Sequence, residues 1–145
     1  MTSLLGPWFV WALLAALFAA ATALLAKAGV EDVNSDLAML IRTAVVLVAA
    51  GMLVAFTGKW QPVRAISGRT WLFLVASGLA TGLSWLCYFR ALKLGDAARV
   101  ASVDKLSVVF VAVLAGLLFA ERLSPLNWLG VALISAGAML VAWKG

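Results

Sequence analysis

The chain has 145 residues, of which 66% are hydrophobic and 12% are charged, and its mean hydropathy is +1.11. This composition excludes a water-soluble globular domain, in which about 25% of the residues are charged. The formal charge of +5 comes from eleven basic and six acidic residues, and one cysteine with no histidine excludes an internal disulfide and a histidine-based metal site.

Apolar stretches of membrane-spanning length follow one another along the chain. They predict five helices, over residues 8–28, 37–57, 71–94, 97–120 and 126–143. A helix needs roughly 20 apolar residues to cross a hydrocarbon core about 30 Å thick, and in lipid it satisfies its own backbone hydrogen bonds. The sequence therefore predicts an all-α integral membrane protein with five transmembrane helices, forming a single domain over residues 1–145.

Capping residues mark the ends of these helices. Pro7 suits the first turn of helix one, and Gly29 suits its end. Asn34 heads a group of good N-cap residues before helix two, and Gly95 ends helix three. Pro125 follows a serine and opens helix five.

The third helix has two adjoining faces that are candidates for lining a solute cavity. The first is a stripe of hydroxyl groups from Ser77, Thr81, Ser84 and Tyr88, and the second combines glycines with aromatic rings at Gly78, Gly82, Trp85 and Phe89. Glycines open space, and the hydroxyl groups with Trp85 provide hydrogen bonds and a flat wall for a modestly polar solute. The alternative is ordinary packing, because hydroxyls often bond their own helix and glycines four residues apart often mark helix contacts.

The fourth helix has a narrow face of mostly small residues with one lysine. Its members are Ala98, Ser102, Lys105, Val109, Ala112 and Gly116. Small residues let helix backbones approach closely in lipid. We therefore predict that Ala112 and Gly116, like Gly78 and Gly82, are packing positions, and that Lys105 contributes to the solute cavity between the third and fourth helices.

Four of the ionisable residues inside the predicted spans are candidates for function: Arg42, Arg90, Asp104 and Lys105. Such a residue costs about 2.5 to 3.5 kcal/mol at a helix centre on insertion scales and suggests function by default. Asp104 and Lys105 are sequence neighbours that project about 100° apart, so each is expected to find another partner. Asp104 and Arg42 are the candidates for charge coupling. The alternative is a structural ion pair near the head groups, with Arg90 reaching the interface.

The basic residues between the spans are nearly balanced across the membrane. The side that contains the N-terminus collects four, which are Lys59, Arg64, Arg69 and Arg122, and the other side collects five, which are Lys27, Arg90, Lys93, Arg99 and Lys144. A difference of one barely sets orientation by the positive-inside rule, which predicts insertion in both directions. The alternative is that Arg90 and Arg99 are structural and do not count, which leaves an ordinary protein with its N-terminus inside.

The stretch YFRALKLGDAARVA at residues 88–101, continuing as VDKLS at 103–107, resembles the EamA domain of the drug/metabolite transporter superfamily. Arg42 with Thr43, the Glu121 and Arg122 pair, and the last helix from Gly130 to Gly137 also match. Most members have two five-helix halves of opposite orientation, and this sequence has one. The resemblance therefore implies the single-domain bacterial and archaeal type, pairing as an antiparallel ten-helix homodimer.

The resemblance also implies a function. We expect a multi-pass transporter of small metabolites or drug-like solutes in the prokaryotic cytoplasmic membrane, an exporter that works by alternating access at the dimer interface. The expected partners are the lipid bilayer, a small-molecule solute and a second copy of the chain, with no nucleic acid. The sequence calls for no cofactor, no metal and no catalytic residues, so an enzyme is not expected. The alternatives are a lipid-carrier flippase and a nontransporting membrane scaffold subunit.

Overall fold

The structure is a computed structural model that describes residues 6–120 and 122–143. The described chain forms α1 (Pro7–Val30), α2 (Ser35–Thr57), a short 3₁₀ helix (Val63–Ala65), α3 (Gly68–Leu94), α4 (Ala97–Asp104), α5 (Ser107–Phe119) and α6 (Pro125–Ala142). Since α4 and α5 follow each other within one apolar stretch, these helices make five segments long and apolar enough to cross a membrane. The predicted all-helical architecture with five such segments is confirmed.

Three helix ends follow the capping chemistry of the sequence, whereas α1 continues through Gly29, its expected end, to Val30. The Asn34 side chain accepts hydrogen bonds from the backbone N–H groups of Asp36 and Leu37, at 2.9 and 3.4 Å, and so caps α2. Gly58 ends α2 in the left-handed conformation with φ of 64°, which glycine adopts without steric cost. Ser124 accepts from the N–H of Asn127 at 3.2 Å and caps α6.

The fourth span is interrupted at Lys105 and Leu106, where the sequence predicts an unbroken helix over residues 97–120. The N–H groups of Lys105 and Val108 donate to the carbonyls three residues earlier, at 3.1 Å each, instead of four residues earlier. The Ser102 hydroxyl donates to the Ala98 carbonyl at 2.8 Å, a bond within the helix that favours bending. The carbonyl oxygens of Ala101 and Asp104 thereby lose the donors that a regular helix supplies.

The chain divides into two compact units. One unit is residues 26–93, in which α2 and α3 are joined through the 3₁₀ helix and bury Val30, Phe89 and Leu92. The other contains residues 6–25, 94–120 and 122–143 of the described chain, and in it α6 packs against α4 and α5. The single domain over residues 1–145 stays a prediction.

Most large apolar side chains of the described residues are exposed. Phe56 on α2 is 88% exposed, and Leu94 at the end of α3 is 90% exposed. A soluble protein rarely shows contiguous apolar surface of this extent, whereas a membrane-spanning helix presents it to lipid. The chain is therefore described as an integral, multi-pass membrane protein.

Candidate functional site

The guanidinium of Arg42 lies over aromatic rings of α3. Its central carbon is 4.2 Å from the centroid of the Trp85 ring and 5.6 Å from that of Phe89. Arg42 and Trp85 are partly buried, and Phe89 is 3% exposed. A cation over an aromatic face is stabilised by about 0.5 to 2 kcal/mol, more as it is desolvated. The structure thus joins a candidate for charge coupling to a candidate for the cavity wall, which the sequence analysis treated separately.

Arg90 forms an ion pair with Asp36 at the start of α2. Its Nε donates to Oδ1 at 3.2 Å, and its Nη2 donates to Oδ2 at 3.0 Å. This two-pronged arrangement matches the geometry of a guanidinium to that of a carboxylate. Both side chains remain about half exposed, at 56% and 49%. Arg90 is therefore bound to α2 instead of only reaching toward the head groups. Asp36, in the first turn of α2, connects that helix to α3.

Two lysines hold the ends of α1 and α3 together. The ammonium group of Lys27 on α1 donates to the Leu92 carbonyl of α3 at 2.9 Å. The ammonium group of Lys93 on α3 donates at 2.7 Å to the carbonyl of Val30, the last residue of α1. It also donates to the carbonyls of Glu31 and Val33 in the following loop, at 2.5 and 3.3 Å. Each lysine supplies donors to carbonyl groups that a helix end leaves without partners, and its charge complements the negative end of the helix dipole.

The hydroxyl stripe of α3 is used partly by its own helix. The Thr81 hydroxyl donates to the Ser77 carbonyl at 2.9 Å, which agrees with the alternative that these hydroxyl groups bond their own helix. Ser77 and Ser84 are exposed, and Tyr88 is partly buried. An ideal Cβ built at Gly78 or Gly82 meets no atom within 4 Å, so this face has open space beside it. The proposed solute contacts of the stripe stay a prediction.

Asp104 and Lys105 meet at the interruption of the fourth span. The Lys105 Nζ lies 3.5 Å from the Asp104 Oδ2, and the two side chains are 60% and 43% exposed. The expectation that each neighbour needs another partner is wrong, because the backbone leaves regular α-helical geometry here and lets adjacent side chains converge. The roles of Arg42 and Asp104 in charge coupling stay predictions.

Two of the small residues on the fourth span border an open groove. Ala112 and Gly116 on α5 line a groove of about 470 Å³ that Trp128 of α6 and Arg122 also border. Their role in helix packing stays a prediction. Glu121 and Lys144, which belong to the family resemblance and to the charge count, lie outside the described residues.

Sequence reasoning missed the lysine contacts and the Asp36 pair. From the sequence, Lys27 and Lys93 count only as charges that set orientation, and Arg90 counts as such a charge or as a side chain that reaches the interface. A signal was present, since Lys27 and Lys93 each lie in the last turn of a helix, where a cation complements the helix dipole. Asp36 lies in the first turn of α2, where an acid is expected for the same reason.

Comparison with known proteins gives a consistent result. The model of the EamA-like transporter family matches residues 6–143. An uncharacterized transporter of a Sinorhizobium species is 62% identical over 135 residues, which are 93% of this chain and 96% of that protein. A human member of solute carrier family 35 is 36% identical over 94 residues, which are 65% of this chain and 27% of that protein.

An uncharacterized transporter of Bacillus subtilis is 27% identical over 141 residues, which are 97% of this chain and 44% of that protein. No solved structure matches the chain at a significant level. The family model covers all five apolar helices, and the Sinorhizobium relative is matched over nearly its whole length. The chain is therefore a member of the EamA-like transporter family, a family of multi-pass membrane transporters.

Proposed function

We propose that the chain exports small metabolites or drug-like solutes across the prokaryotic cytoplasmic membrane by alternating access, as an antiparallel homodimer. The observation that carries the proposal is a set of polar groups inside membrane-length helices of a transporter-family chain. Arg42 lies over Trp85 within α2 and α3, and Asp104 meets Lys105 inside the fourth span. Ionisable groups in such positions mark solute and ion pathways by default.

Two observations support an antiparallel pair. The basic residues between the spans number four on one side and five on the other, so orientation is weakly specified. The Bacillus relative is more than twice as long as the matched segment, whereas the Sinorhizobium relative is matched over 96% of its length. Many transporters combine two repeats of inverted topology, and two oppositely inserted copies supply the same arrangement.

The interruption of the fourth span supports a conformational role. Discontinuous helices in transporters leave backbone carbonyls without helical donors near the solute or ion, as at Ala101 and Asp104 here. A short 3₁₀ stretch inside a helix also often marks a hinge. We propose that residues 105–106 bend as the cavity opens alternately to each side, and that Asp104 at this bend carries the coupled charge.

Sided labelling in intact cells tests the dimer. Cys87 is replaced by serine, and one new cysteine is placed either at Gln61, in the loop after α2, or at Asp32, in the loop after α1. Both positions are exposed and cap no helix, whereas Ser67 accepts from the N–H of Thr70 and is better left intact. A membrane-impermeant thiol reagent is added before and after permeabilisation.

Dual insertion gives labelling of about half the chains at each position before permeabilisation. Labelling of all chains at one position and none at the other means a single orientation and rules out the antiparallel homodimer. Transport is tested separately in liposomes that contain the purified protein and a panel of radiolabelled metabolites. Absence of flux for every solute, with a stable protein partner recovered from the native membrane, points to the scaffold role.

A further inference from the structure

Arg42 is held well inside a membrane-spanning helix. It lies seven residues after the start of α2, which is about 10 Å along the helix axis. Its side chain is only partly exposed, and it is fixed against the rings of Trp85 and Phe89. Placing an arginine in lipid costs free energy, and many such arginines extend to the head groups instead. The contacts of Arg42 with two rings of another helix do not fit that role.

The charge of Arg42 has no carboxylate partner within its own unit. Residues 26–93 contain three acids, Glu31, Asp32 and Asp36, and none of them lies within 4 Å of the Arg42 guanidinium. Asp36 is already engaged by Arg90. The rings of Trp85 and Phe89 compensate a cation through their faces but carry no net charge. The site therefore retains a positive charge that an anion can neutralise.

A guanidinium held over an aromatic ring can still bind an anion through its N–H groups. When the two planes stack, the ring contacts the flat face of the guanidinium, whereas the N–H groups lie in the guanidinium plane and point outward. Those N–H groups match the two oxygens of a carboxylate or a phosphate. Lys27 and Lys93, by contrast, donate to backbone carbonyls, and Arg90 forms an ion pair with Asp36. Arg42 is thus arranged differently from its neighbouring cations.

We infer that Arg42, positioned by Trp85 and Phe89, binds the anionic group of the transported solute, a carboxylate or a phosphate on an organic molecule. The inference rests on the proposed transport function and names its substrate class. An internal carboxylate at Arg42 would compete with such a solute. A cationic solute is repelled by the same charge, so the site selects against quaternary amines.

The purified full-length protein in detergent tests the inference through ligand-induced thermal stabilisation. The probes are benzoate, phenyl phosphate and inorganic phosphate, with tetraethylammonium as the cationic probe. The variants are Arg42→Gln and Arg42→Lys. The matched control is Arg69→Lys, because Arg69 also lies over a ring of α3, 5.8 Å from the centroid of Phe73, near the start of that helix.

We expect benzoate or phenyl phosphate to stabilise the wild type and Arg69→Lys equally and in a saturable manner. Arg42→Gln is expected to lower the apparent affinity at least tenfold, and Arg42→Lys by less, since the lysine keeps the charge but loses the two-pronged contact. Arg42→Gln without ligand should be as stable as the wild type, because it removes a cation from lipid. If Arg42→Gln does not fold, the apparent anion affinity of Arg42→Lys, compared with that of the wild type, tests the inference.

Equal anion affinity for Arg42→Lys, Arg42→Gln and the wild type, or stabilisation by tetraethylammonium with none by the anions, overturns the inference. Phosphatidylglycerol is added as a lipid probe, and stabilisation by it but by no soluble anion supports the anion site and assigns it to a lipid head group. Liposome flux separates the two proposals. Anion binding without flux of any solute contradicts the transport proposal but supports the anion site. Flux that is unchanged in Arg42→Gln contradicts the anion site but supports transport.

Discussion

Arg90 and Asp36 share one two-pronged ion pair that ties the last part of α3 to the first turn of α2, with contacts of 3.2 and 3.0 Å. Arg42 and Trp85 repeat this link deeper along the same two helices. From Asp36 to Arg42 is about 9 Å along α2, and from Arg90 to Trp85 is about 7.5 Å along α3. One antiparallel register of α2 and α3 therefore accounts for both contacts.

Exchanging the partners of the ion pair tests that register. Asp36→Arg and Arg90→Asp alone are each expected to lower the melting temperature in detergent, because each places like charges opposite one another. The double variant should recover part of the loss, though not all of it, since an arginine in the first turn opposes the helix dipole. Both groups are half exposed, so the recovery should shrink at high salt. Additive effects of the two changes would show that the contact does not form.

The two lysines at the ends of α1 and α3 should contribute unequally to stability. Lys93 reaches three carbonyl oxygens and Lys27 reaches one. We expect Lys93→Met to lower the free energy of unfolding by about 1 to 3 kcal/mol and Lys27→Met by less, from the usual worth of a hydrogen bond to a charged group. Denaturant titration in mixed micelles measures the free energy of unfolding of each variant and shows which loss is larger. A larger loss from Lys27→Met contradicts this assignment.

Trp85 should be needed for solute binding, not only for folding. Trp85→Ala removes the ring under Arg42 and is expected to lower transport at least tenfold, whereas Trp85→Phe keeps a ring and should retain much of it. Trp71→Ala is the matched control, since Trp71 lies about 21 Å away on the same helix, near its start. Unchanged flux and unchanged substrate binding in Trp85→Ala would rule out its role in the cavity.

Asp104 is the charge-coupling candidate that could carry a proton, since α1 holds no acidic residue to do so. In liposomes, flux through the wild type should respond to an imposed pH gradient, and Asp104→Asn should remove that response. Asp96→Asn is the control, since Asp96 is exposed at the start of α4 and pairs with Arg99 at 3.4 Å. A response that survives in Asp104→Asn, with the same dependence on pH, removes Asp104 from coupling.

Because the orientation signal is weak, added lysines should force the chain into one orientation or the other, and transport should then need both variants. Gln61→Lys with Val63→Lys and Ala65→Lys raises the basic count on one side from four to seven, against five on the other. Glu31→Lys with Asp32→Lys raises the other side from five to seven, against four. Each variant is expected to insert in one orientation and to lose transport by itself. Coexpression should restore transport, since oppositely inserted chains can pair. Full activity of either variant alone contradicts the antiparallel dimer.

The sequence predicts the five apolar helices because membrane thickness fixes their length. It predicts their starts where Asn34 and Ser124 have chemistry specific to a helix terminus. It does not predict which residues of α2 and α3 stand opposite each other. The loop at residues 58–67 can accommodate several registers, so Asp36 and Arg90 carry no local mark of their pairing. The interruption at Lys105 was missed for a similar reason, because no glycine or proline stands there.

The lysine contacts have a consequence for the charge at the joined ends of α1 and α3. Lys27 and Lys93 each place a cation at the negative end of a helix dipole, which carries about half a charge. Glu31 and Asp32 follow α1 directly and offset the two ammonium groups. The two lysines therefore act as hydrogen-bond donors to carbonyl groups and not as a basic patch that attracts anions. In the proposed antiparallel pair, this end of the helices would favour neither compartment.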